Sequence, residues 1–427
     1  MNILIVTQYF WPENFRINEL AVSLVNKGYK VSVLTGTPNY PEGKFFKGFG
    51  WFKRNKETHE GVKIFRVPII PRGQGNKIVL ALNYISFVIS ASIFSPFVCR
   101  KKSDIIFVYE PSPITVGIPT ILLKKIKKIP LFFWVQDLWP ETLSAVGVVS
   151  SKSLIYKLIN RLVKSIYTRC DRILVQSQAF ETSIKHHIEK DQSLYYFPNC
   201  AEKLYQPISL DRERIEYQQM PKGFCIMFAG NIGFAQDFET IIEAAKILKK
   251  HKDIQWVILG DGRARNWVEK RLDKLGLTNV FHFLGKHPVE EMPVFFSYAD
   301  VMLVTLKKDP IFALTIPAKI QSYLACAKPI IAGIDGEGAR IVEESGAGIS
   351  CNAETPEALA ETVLKMYHKS DNDRNAMGRA GRKYFENHFE SDMLVSRLEN
   401  WMLDEICSNS VDQDVNQPKV IKASNDK

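Results

Sequence analysis

Two glycine-containing turns carry the residue types that bind a diphosphate. An apolar run over 225–229 leads into Gly230-Asn231-Ile232-Gly233, and a run over 255–259 leads into Gly260-Asp261-Gly262. Glycine lets a backbone approach a ligand closely, and the free amides at the start of a following helix favour an anion. A dinucleotide fingerprint has a third glycine, and in this chain Arg263-Ala264-Arg265 occupies its place. The two turns therefore favour a mononucleotide site over a dinucleotide site.

Lys319 is the side chain that we expect to complete this anion site. Pro317 begins a predicted helix with Lys319 in its first turn, and Lys328-Pro329 then leads into a buried strand. A lysine at a helix start is electrostatically unfavourable unless an anion lies nearby. We predict that Lys319 contacts the diphosphate, and the alternative is a solvated surface lysine.

The elements that position these residues form a repeating pattern in both halves of the chain. Short runs rich in β-branched residues alternate with helical segments, which indicates βαβ units on parallel sheets. The pattern restarts after a polar stretch at 211–222. The sequence therefore predicts an α/β protein with two doubly wound domains that face a central cleft. The predicted strands cover residues 3–7, 31–35, 105–109, 131–136, 173–177, 225–229, 255–260, 280–284, 301–305 and 329–332.

Charge is unevenly distributed over the 427 residues. Residues 1–205 carry 28 Lys and Arg against 14 Asp and Glu, whereas residues 206–427 carry 28 against 32. The basic half is suited to a polyanion such as an anionic membrane surface or a pyrophosphate-bearing acceptor. Nucleic acid is disfavoured, because basic and aromatic residues are not regularly interleaved and no recognition motif is present.

The cysteines and the amino terminus favour a cytoplasmic protein. The seven cysteines are widely spaced and form no C-x-x-C pair, which argues against a disulfide framework or a zinc site. The first residues lack a basic region followed by a long apolar stretch, so we expect no secretion signal. We also predict no metal site, because the Asp-x-Asp pairs at 371/373 and 412/414 do not follow predicted strands.

The segment 78–99 contains no charged residue and meets the crude length criterion for a membrane span. Asn83, several serines and Pro96 lie within it, and the βαβ pattern continues on both sides, so one span would divide a sheet. We therefore expect one or two helices in the first domain, either buried or lying shallowly in the membrane interface beside basic residues. The second reading predicts peripheral association with the inner membrane.

Five motifs resemble the family 4 glycosyltransferases of the GT-B fold, in particular the WbuB-like subgroup of O-antigen and capsule sugar transferases. The motifs are Gln8 to Arg16 (QYFWPENFR), Pro38 to Gly43 (PNYPEG), Gln136 to Glu141 (QDLWPE), Phe197 to Asn199 (FPN) and the Pro-x-Lys helix at 317–319. The resemblance covers roughly residues 1–400. It implies an acceptor-binding, membrane-facing domain over 1–205, a nucleotide-sugar domain over 206–388, a helix over 389–408 that crosses back to the first domain, and a disordered tail over 409–427.

The resemblance implies a metal-independent retaining transferase without a cofactor, whose nucleotide-diphosphate sugar is a substrate. The donor is expected to be UDP-linked, with N-acetylfucosamine or another N-acetylhexosamine as its sugar. A polyprenyl-diphosphate-linked saccharide is the expected acceptor. The expected donor-binding residues are Gly230, Asn231, Gly233, Gln236, Gly260, Gly262, Lys319 and Ser322. The expected residues of the acceptor cleft are Glu13, Asn14, Arg16, Gln136 and Glu141.

The chain departs from the family pattern in three places. Positions near Asn231 and Gln236 are uncharged where many members have Arg and Lys, and the places of the paired glutamates fall near Leu314 and Ser322. Gln136-Asp137 stands where many members have a histidine. Asp137 then becomes the candidate that orients the acceptor hydroxyl or stabilises positive charge on the sugar. The alternative is a helix N-cap or a loop carboxylate bound to backbone, and a capping role is also open for Asn14.

Two other function classes share this architecture. A nucleotide-sugar 2-epimerase would need no acceptor, so release of UDP only in the presence of acceptor separates it from a transferase. A non-catalytic, two-lobed sugar-binding protein would bind nucleotide sugars without turnover.

Overall fold

The computed structural model describes residues 1–74, 76–99, 101–145, 149–188 and 194–415. Two parallel sheets organise the described chain, one in each half, and the predicted doubly wound α/β architecture is confirmed. Strands such as β5 and β6 are buried along their whole length, as expected where helices cover both faces of a parallel sheet.

The first sheet has eight strands in the order β3-β4-β2-β1-β5-β6-β7-β8. Its strands are β1 (Asn2–Val6), β2 (Lys30–Gly36), β3 (Lys56–His59), β4 (Val62–Val67), β5 (Ile105–Glu110), β6 (Leu131–Val135), β7 (Arg172–Val175) and β8 (Leu194–Tyr196). The accompanying helices are α1 (Arg16–Asn26), α2 (Lys77–Val98), α3 (Gly117–Lys127), α4 (Glu141–Ala145), α5 (Leu154–Tyr167) and α6 (Phe180–Lys185). Strand β3 pairs antiparallel with β4 at the edge, and its polar sequence did not predict it.

The second sheet has six strands in the order β11-β10-β9-β12-β13-β14. Its strands are β9 (Phe224–Ala229), β10 (Ile254–Leu259), β11 (Phe281–Gly285), β12 (Val301–Thr305), β13 (Ile330–Gly333) and β14 (Gly348–Cys351). The helices are α7 (Phe238–Ile247), α8 (Arg265–Leu275), α9 (Met292–Tyr298), α10 (Pro310–Ala313), α11 (Ala318–Ala325), α12 (Glu337–Glu344), α13 (Pro356–Tyr367), α14 (Asp371–His388) and α15 (Ser391–Val415).

The uncharged segment forms the single helix α2, which connects β4 to β5 within one sheet. One side of α2 packs on the sheet through the buried residues Asn83, Phe87 and Ala91, while large apolar side chains on its other side are exposed. The expectation of a wholly buried helix is therefore wrong. Residues 77–97 are long and apolar enough to cross a membrane, and about a fifth of this stretch (22%) is buried.

The last helix, α15, packs on the first sheet although it follows the second. Leu394, Leu398 and Met402 are buried in the same core as β1 and β5, and Glu399 forms an ion pair with Lys27. The helix continues to Val415, so the expectation of a disordered tail from residue 409 is wrong for 409–415. The remainder of that predicted tail, 416–427, lies outside the described residues.

Candidate active site

The two glycine turns pack against each other at the carboxyl edge of the second sheet. The amide of Gly230 donates to the carbonyl of Leu259 at 2.8 Å, and Ile232 donates to the carbonyl of Asp261 at 2.9 Å. A Cβ on Gly260 would lie 2.0 Å from the Gly230 carbonyl oxygen, and one on Gly262 would lie 2.3 Å from that of Ile232. The glycines therefore permit a backbone approach that no other residue allows.

Lys319 extends from α11 towards the first of these turns. Its Nζ lies 3.4 Å from the centroid of the Phe228 ring and would lie 3.1 Å from a Cβ on Gly230. Within the described ranges, this ammonium has no hydrogen-bond acceptor and no carboxylate partner. Burial lowers the pKa of Lys319 to about 7, because no anion compensates its charge. A half-buried cation without a counter-ion beside glycine turns is suited to an anionic ligand.

A tyrosine on the same helix fixes the position of Lys319. The Tyr323 hydroxyl accepts a hydrogen bond from the Ala229 amide at 3.2 Å, at the last residue of β9. Tyr323 is 1% exposed and packs edge-on against Phe296. Helix α11 is thus attached to the strand that leads into the first glycine turn.

The other predicted donor-binding residues differ in their exposure and in the hydrogen bonds that they already make within the protein. Asn231 is exposed, and its amide donates to the Gln236 side chain at 3.4 Å, across Gly233. The backbone carbonyl of Gln236 accepts a hydrogen bond from Thr305. Ser322 is buried, its hydroxyl donates to the Ala318 carbonyl of its own helix, and it therefore offers a ligand less than the sequence suggested.

Asp137 lies just beyond the carboxyl end of β6 and accepts a hydrogen bond from Thr142 at 2.6 Å. Burial raises the pKa of Asp137, and the bond from Thr142 offsets part of that effect. The neighbouring Glu110, at the end of β5, is fully buried, and burial together with the charge of Asp137 raises the pKa of Glu110 well above its usual range. Burial therefore raises the pKa of both carboxyl groups, and the larger rise is that of Glu110.

A cluster of amide side chains joins the edge that bears Asp137 to the helix that bears Lys319. Asn199 Nδ2 donates to the side-chain oxygens of Gln136 and Gln176, each at 2.9 Å. Gln321 Nε2 of α11 donates to the backbone carbonyl of Asn199. Gln136, the neighbour of Asp137, and Gln321, on the helix of Lys319, are therefore connected through Asn199.

Two residues predicted to line the acceptor cleft have carboxylates that already accept hydrogen bonds within the protein. Glu13 is 2% exposed, and its carboxylate accepts hydrogen bonds from the amides of Asn39 and Tyr40 at 2.8 and 2.7 Å. Glu141 accepts a hydrogen bond from Ser183 and lies near His187. Burial raises the pKa of Glu141, but the interactions with His187 and Ser183 outweigh it, so the net shift is downward. Both carboxylates hold loops in position.

The remaining predicted acceptor residues also have defined places. Arg16 is the first residue of α1 and pairs with Glu202 of the segment that leads to the second domain. Asn14 is exposed and does not cap α1, whose N-cap residue is Phe15, so the capping alternative is wrong. Leu314, near one place of the family's missing glutamates, packs against the core of the first sheet.

Two family models match the chain, one in each half. The model described as glycosyl transferase 4-like domain matches residues 14–192, and the model described as glycosyl transferases group 1 matches residues 211–384. The chain belongs to the family 4 glycosyltransferases of the GT-B fold. The first match contains Asp137, and the second contains Lys319.

Curated relatives agree with this assignment. This glycosyltransferase is 28% identical to the probable glycosyltransferase WbjE of Pseudomonas aeruginosa, over 77% of the chain and 81% of that relative. It is 23% identical to the glycosyl transferase WcaI of Escherichia coli, which is assigned to colanic acid biosynthesis, over 76% of the chain and 81% of that relative.

Solved structures share the fold of this glycosyltransferase at low identity. Sucrose-phosphate synthase of Thermosynechococcus elongatus has a TM-score of 0.73 at 15% identity, covering 95% of this chain and 99% of the other. Anabaena HepE in complex with UDP-glucose has a TM-score of 0.64 at 15% identity, covering 95% of this chain and all of that chain (100%).

Sequence reasoning missed several cleft residues of this glycosyltransferase. Glu110 is the single charge that ends an apolar strand, and Ser112 follows it with a φ of +131°, a strained conformation outside glycine. Tyr84 lies within hydrogen-bonding reach of Ser112 but comes from the middle of α2. Glu110 could have been identified from the sequence, because it lies at the end of a predicted strand. The position of Tyr84 depends on how α2 packs on the sheet, which the sequence does not show.

Proposed function

We propose that this glycosyltransferase retains the anomeric configuration while it transfers a sugar from a UDP-linked donor to a lipid-linked saccharide in surface polysaccharide synthesis. The observation that carries the proposal is the unpaired Lys319 ammonium beside the two glycine turns. Two relatives support it, since WcaI is assigned to colanic acid biosynthesis and HepE binds UDP-glucose. We propose N-acetylfucosamine or another N-acetylhexosamine as the transferred sugar.

In this mechanism, the bond between the sugar's anomeric carbon and the diphosphate breaks as the acceptor hydroxyl attacks from the same face. Lys319 and the amides of the glycine turns stabilise the charge that develops on the leaving diphosphate. The acceptor oxygen bonds to the anomeric carbon, and its proton passes to the departing phosphate oxygen. Asp137 orients the acceptor hydroxyl or stabilises positive charge on the sugar. We propose that these groups suffice without a metal or a cofactor.

Release of nucleoside diphosphate tests this function. Purified protein is incubated with UDP-, GDP- and dTDP-linked sugars, with and without a lipid extract of the source cells. We expect release of UDP from one N-acetylhexosamine donor, dependent on the extract. Release without acceptor would favour an epimerase or hydrolase, and saturable binding without release from any donor would favour a sugar-binding protein.

We further propose that the enzyme associates peripherally with the cytoplasmic face of the inner membrane through α2. Six exposed apolar side chains follow one another at intervals of three or four residues and so form one stripe, here called the α2 stripe. Its members are Ile78, Leu82, Ile85, Ile89, Ile93 and Phe97. The adjoining helix α3 ends in Lys124, Lys125 and Lys127, and such basic residues beside an apolar stripe suit anionic lipid.

Charged substitutions in the α2 stripe are expected to release the protein from membranes. Burying one isoleucine side chain contributes about 1.5–3 kcal/mol, so the double variant Ile85→Glu/Ile89→Glu should weaken binding to phosphatidylglycerol-containing vesicles by about a hundredfold or more. Co-sedimentation at low and high salt measures the effect. The matched control is Ile247→Glu, since Ile247 is 51% exposed on α7 of the other domain. Equal binding by both variants would argue against the α2 stripe as the membrane contact.

A further inference from the structure

Arg72 is a half-buried cation without a carboxylate partner at the carboxyl edge of the first sheet. It lies between β4 and α2, and its guanidinium carbon is 4.8 Å from the centroid of the Tyr40 ring. Its backbone amide donates to Asn39 Oδ1 at 2.9 Å, which fixes the main chain there. In the part of the chain that the structure describes, no Asp or Glu oxygen lies within ion-pair distance of Arg72. A guanidinium held in this way can bind a phosphate through two parallel hydrogen bonds.

Two tyrosines lie near this guanidinium. The centroid of the Tyr9 ring, after β1, is 5.7 Å from that of the Tyr40 ring on which Arg72 stacks. Burial raises the pKa of Tyr84, on the inner side of α2, and Arg72 and the neighbouring Ser112 lower it. Ser112 also neighbours Asp137, where it offsets part of the rise in pKa that burial causes. Hydroxyl groups therefore continue from Arg72 towards Asp137.

The strand order places these groups in a row. Strands β4, β2, β1, β5 and β6 are successive neighbours, and they are followed in the chain by Arg72, Tyr40, Tyr9, Ser112 and Asp137 respectively. Neighbouring strands are about 4.8 Å apart, so the backbone positions at the two ends of the row are separated by about 19 Å. The row thus has Arg72 at one end and Asp137 at the other.

We infer that Arg72, with the hydroxyls of Tyr84 and Tyr9, binds the phosphate ester of the lipid-linked acceptor. The inference rests on the proposed function and adds the site that binds the charged phosphate of the acceptor. Phospholipid headgroups share the phosphate chemistry, so the two sources must be separated by experiment. The inner side of α2 would then contact the acceptor's phosphate, while the α2 stripe on its outer side contacts the bilayer.

Binding of farnesyl diphosphate, compared with farnesol, tests this inference without any need for turnover. Saturating UDP is present to occupy the donor site, and dissociation constants are measured by isothermal titration calorimetry. Hydrogen bonds to a charged group contribute about 1.5–3 kcal/mol, so Arg72→Ala should weaken farnesyl diphosphate binding about ten- to a hundredfold. Farnesol binding should change less than about twofold, because it lacks the anion.

The matched control is Arg54→Ala, because Arg54 is also stacked on an aromatic ring, 4.7 Å from the Phe49 centroid. Arg54 already has Glu57 as an ion-pair partner at 3.2 Å, so its removal should leave farnesyl diphosphate binding unchanged. Arg72→Lys keeps the charge and should retain part of the affinity. A normal thermal unfolding midpoint for Arg72→Ala establishes that the variant is folded.

Two outcomes would overturn the inference. One is an equal loss of affinity for farnesyl diphosphate and farnesol, which would indicate a general change of shape. The other is a loss of binding of Arg72→Ala to phosphatidylglycerol vesicles that matches its loss for farnesyl diphosphate, which would assign Arg72 to phospholipid headgroups. Failure of the proposed function is distinguishable, because it would appear as absence of turnover by the wild type in the donor panel.

Discussion

Replacing Lys319 by alanine is expected to abolish most sugar transfer while leaving the fold intact. Removal of one group that stabilises a developing oxyanion costs about 2.7–4 kcal/mol, which corresponds to a loss of about 10²–10³ in kcat. Release of UDP from the donor sugar at saturating acceptor measures the effect.

The pH dependence of UDP binding separates an electrostatic role of Lys319 from a structural one. The pKa of Lys319 is lowered to about 7 in the free protein, and the diphosphate binds the charged form. Above pH 7 the free protein must take up a proton to bind, so the dissociation constant for UDP should rise about tenfold per pH unit between pH 7 and 9. Lys319→Met should bind weakly with little dependence on pH.

The control for the Lys319 variants is Lys365→Ala, which removes an exposed lysine that pairs with Glu361 on α13. It should keep wild-type turnover and wild-type pH dependence. Wild-type turnover by Lys319→Ala would instead show that Lys319 is a surface lysine without a role in the reaction, and the donor site would have to be sought elsewhere.

Replacing Asp137 by asparagine is expected to lower kcat by about a hundredfold or more, since preorganised charge at the reacting centre contributes on that scale. The KM for the UDP-linked donor should change little, because Asp137 belongs to the first domain and the glycine turns belong to the second. Asparagine preserves the shape and can still accept the hydrogen bond from Thr142. The variant therefore removes the charge while retaining the local structure.

Glu181→Gln is the matched control for Asp137→Asn. Glu181 is a carboxylate of the same domain that pairs with Lys185 on the exposed side of α6, so its neutralisation should leave kcat unchanged. An Asp137→Asn variant with wild-type kcat and a lowered unfolding midpoint would show that Asp137 only holds its loop, which is the structural alternative.

Ten of the fourteen strands in the described residues were predictable from local pattern, and β3, β4, β8 and β14 were not. The predicted strand at 301–305 coincides with β12, because short apolar runs bounded by turn residues leave few other conformations. The hairpin strand β3 was missed because Lys56–His59 is polar and pairs only at the sheet edge. The end of the last helix was predicted at residue 408, whereas α15 continues to Val415.

The nature of each catalytic candidate was also visible in the sequence. The glycine turns and Lys319 could be recognised because a diphosphate site depends on local features, namely backbone amides at strand ends and a cation in the next helix. Asp137 became a candidate through the family resemblance, since Gln136-Asp137 stands where many members have a histidine. Local pattern could not show that the buried Glu13 carboxylate accepts hydrogen bonds from the amides of residues 39 and 40, because those residues are distant in the chain.

What the sequence determined by itself is the two-domain α/β architecture, which follows from local periodicity, and turn composition further predicts an anion site in the second domain. Only the tertiary structure decided which side of α2 is exposed, that Gln321 of α11 donates to Asn199, and that Arg72 has no carboxylate partner among the described residues. These features depend on contacts between residues far apart in the chain, and local pattern carries no information about which distant groups neutralise or cover a side chain.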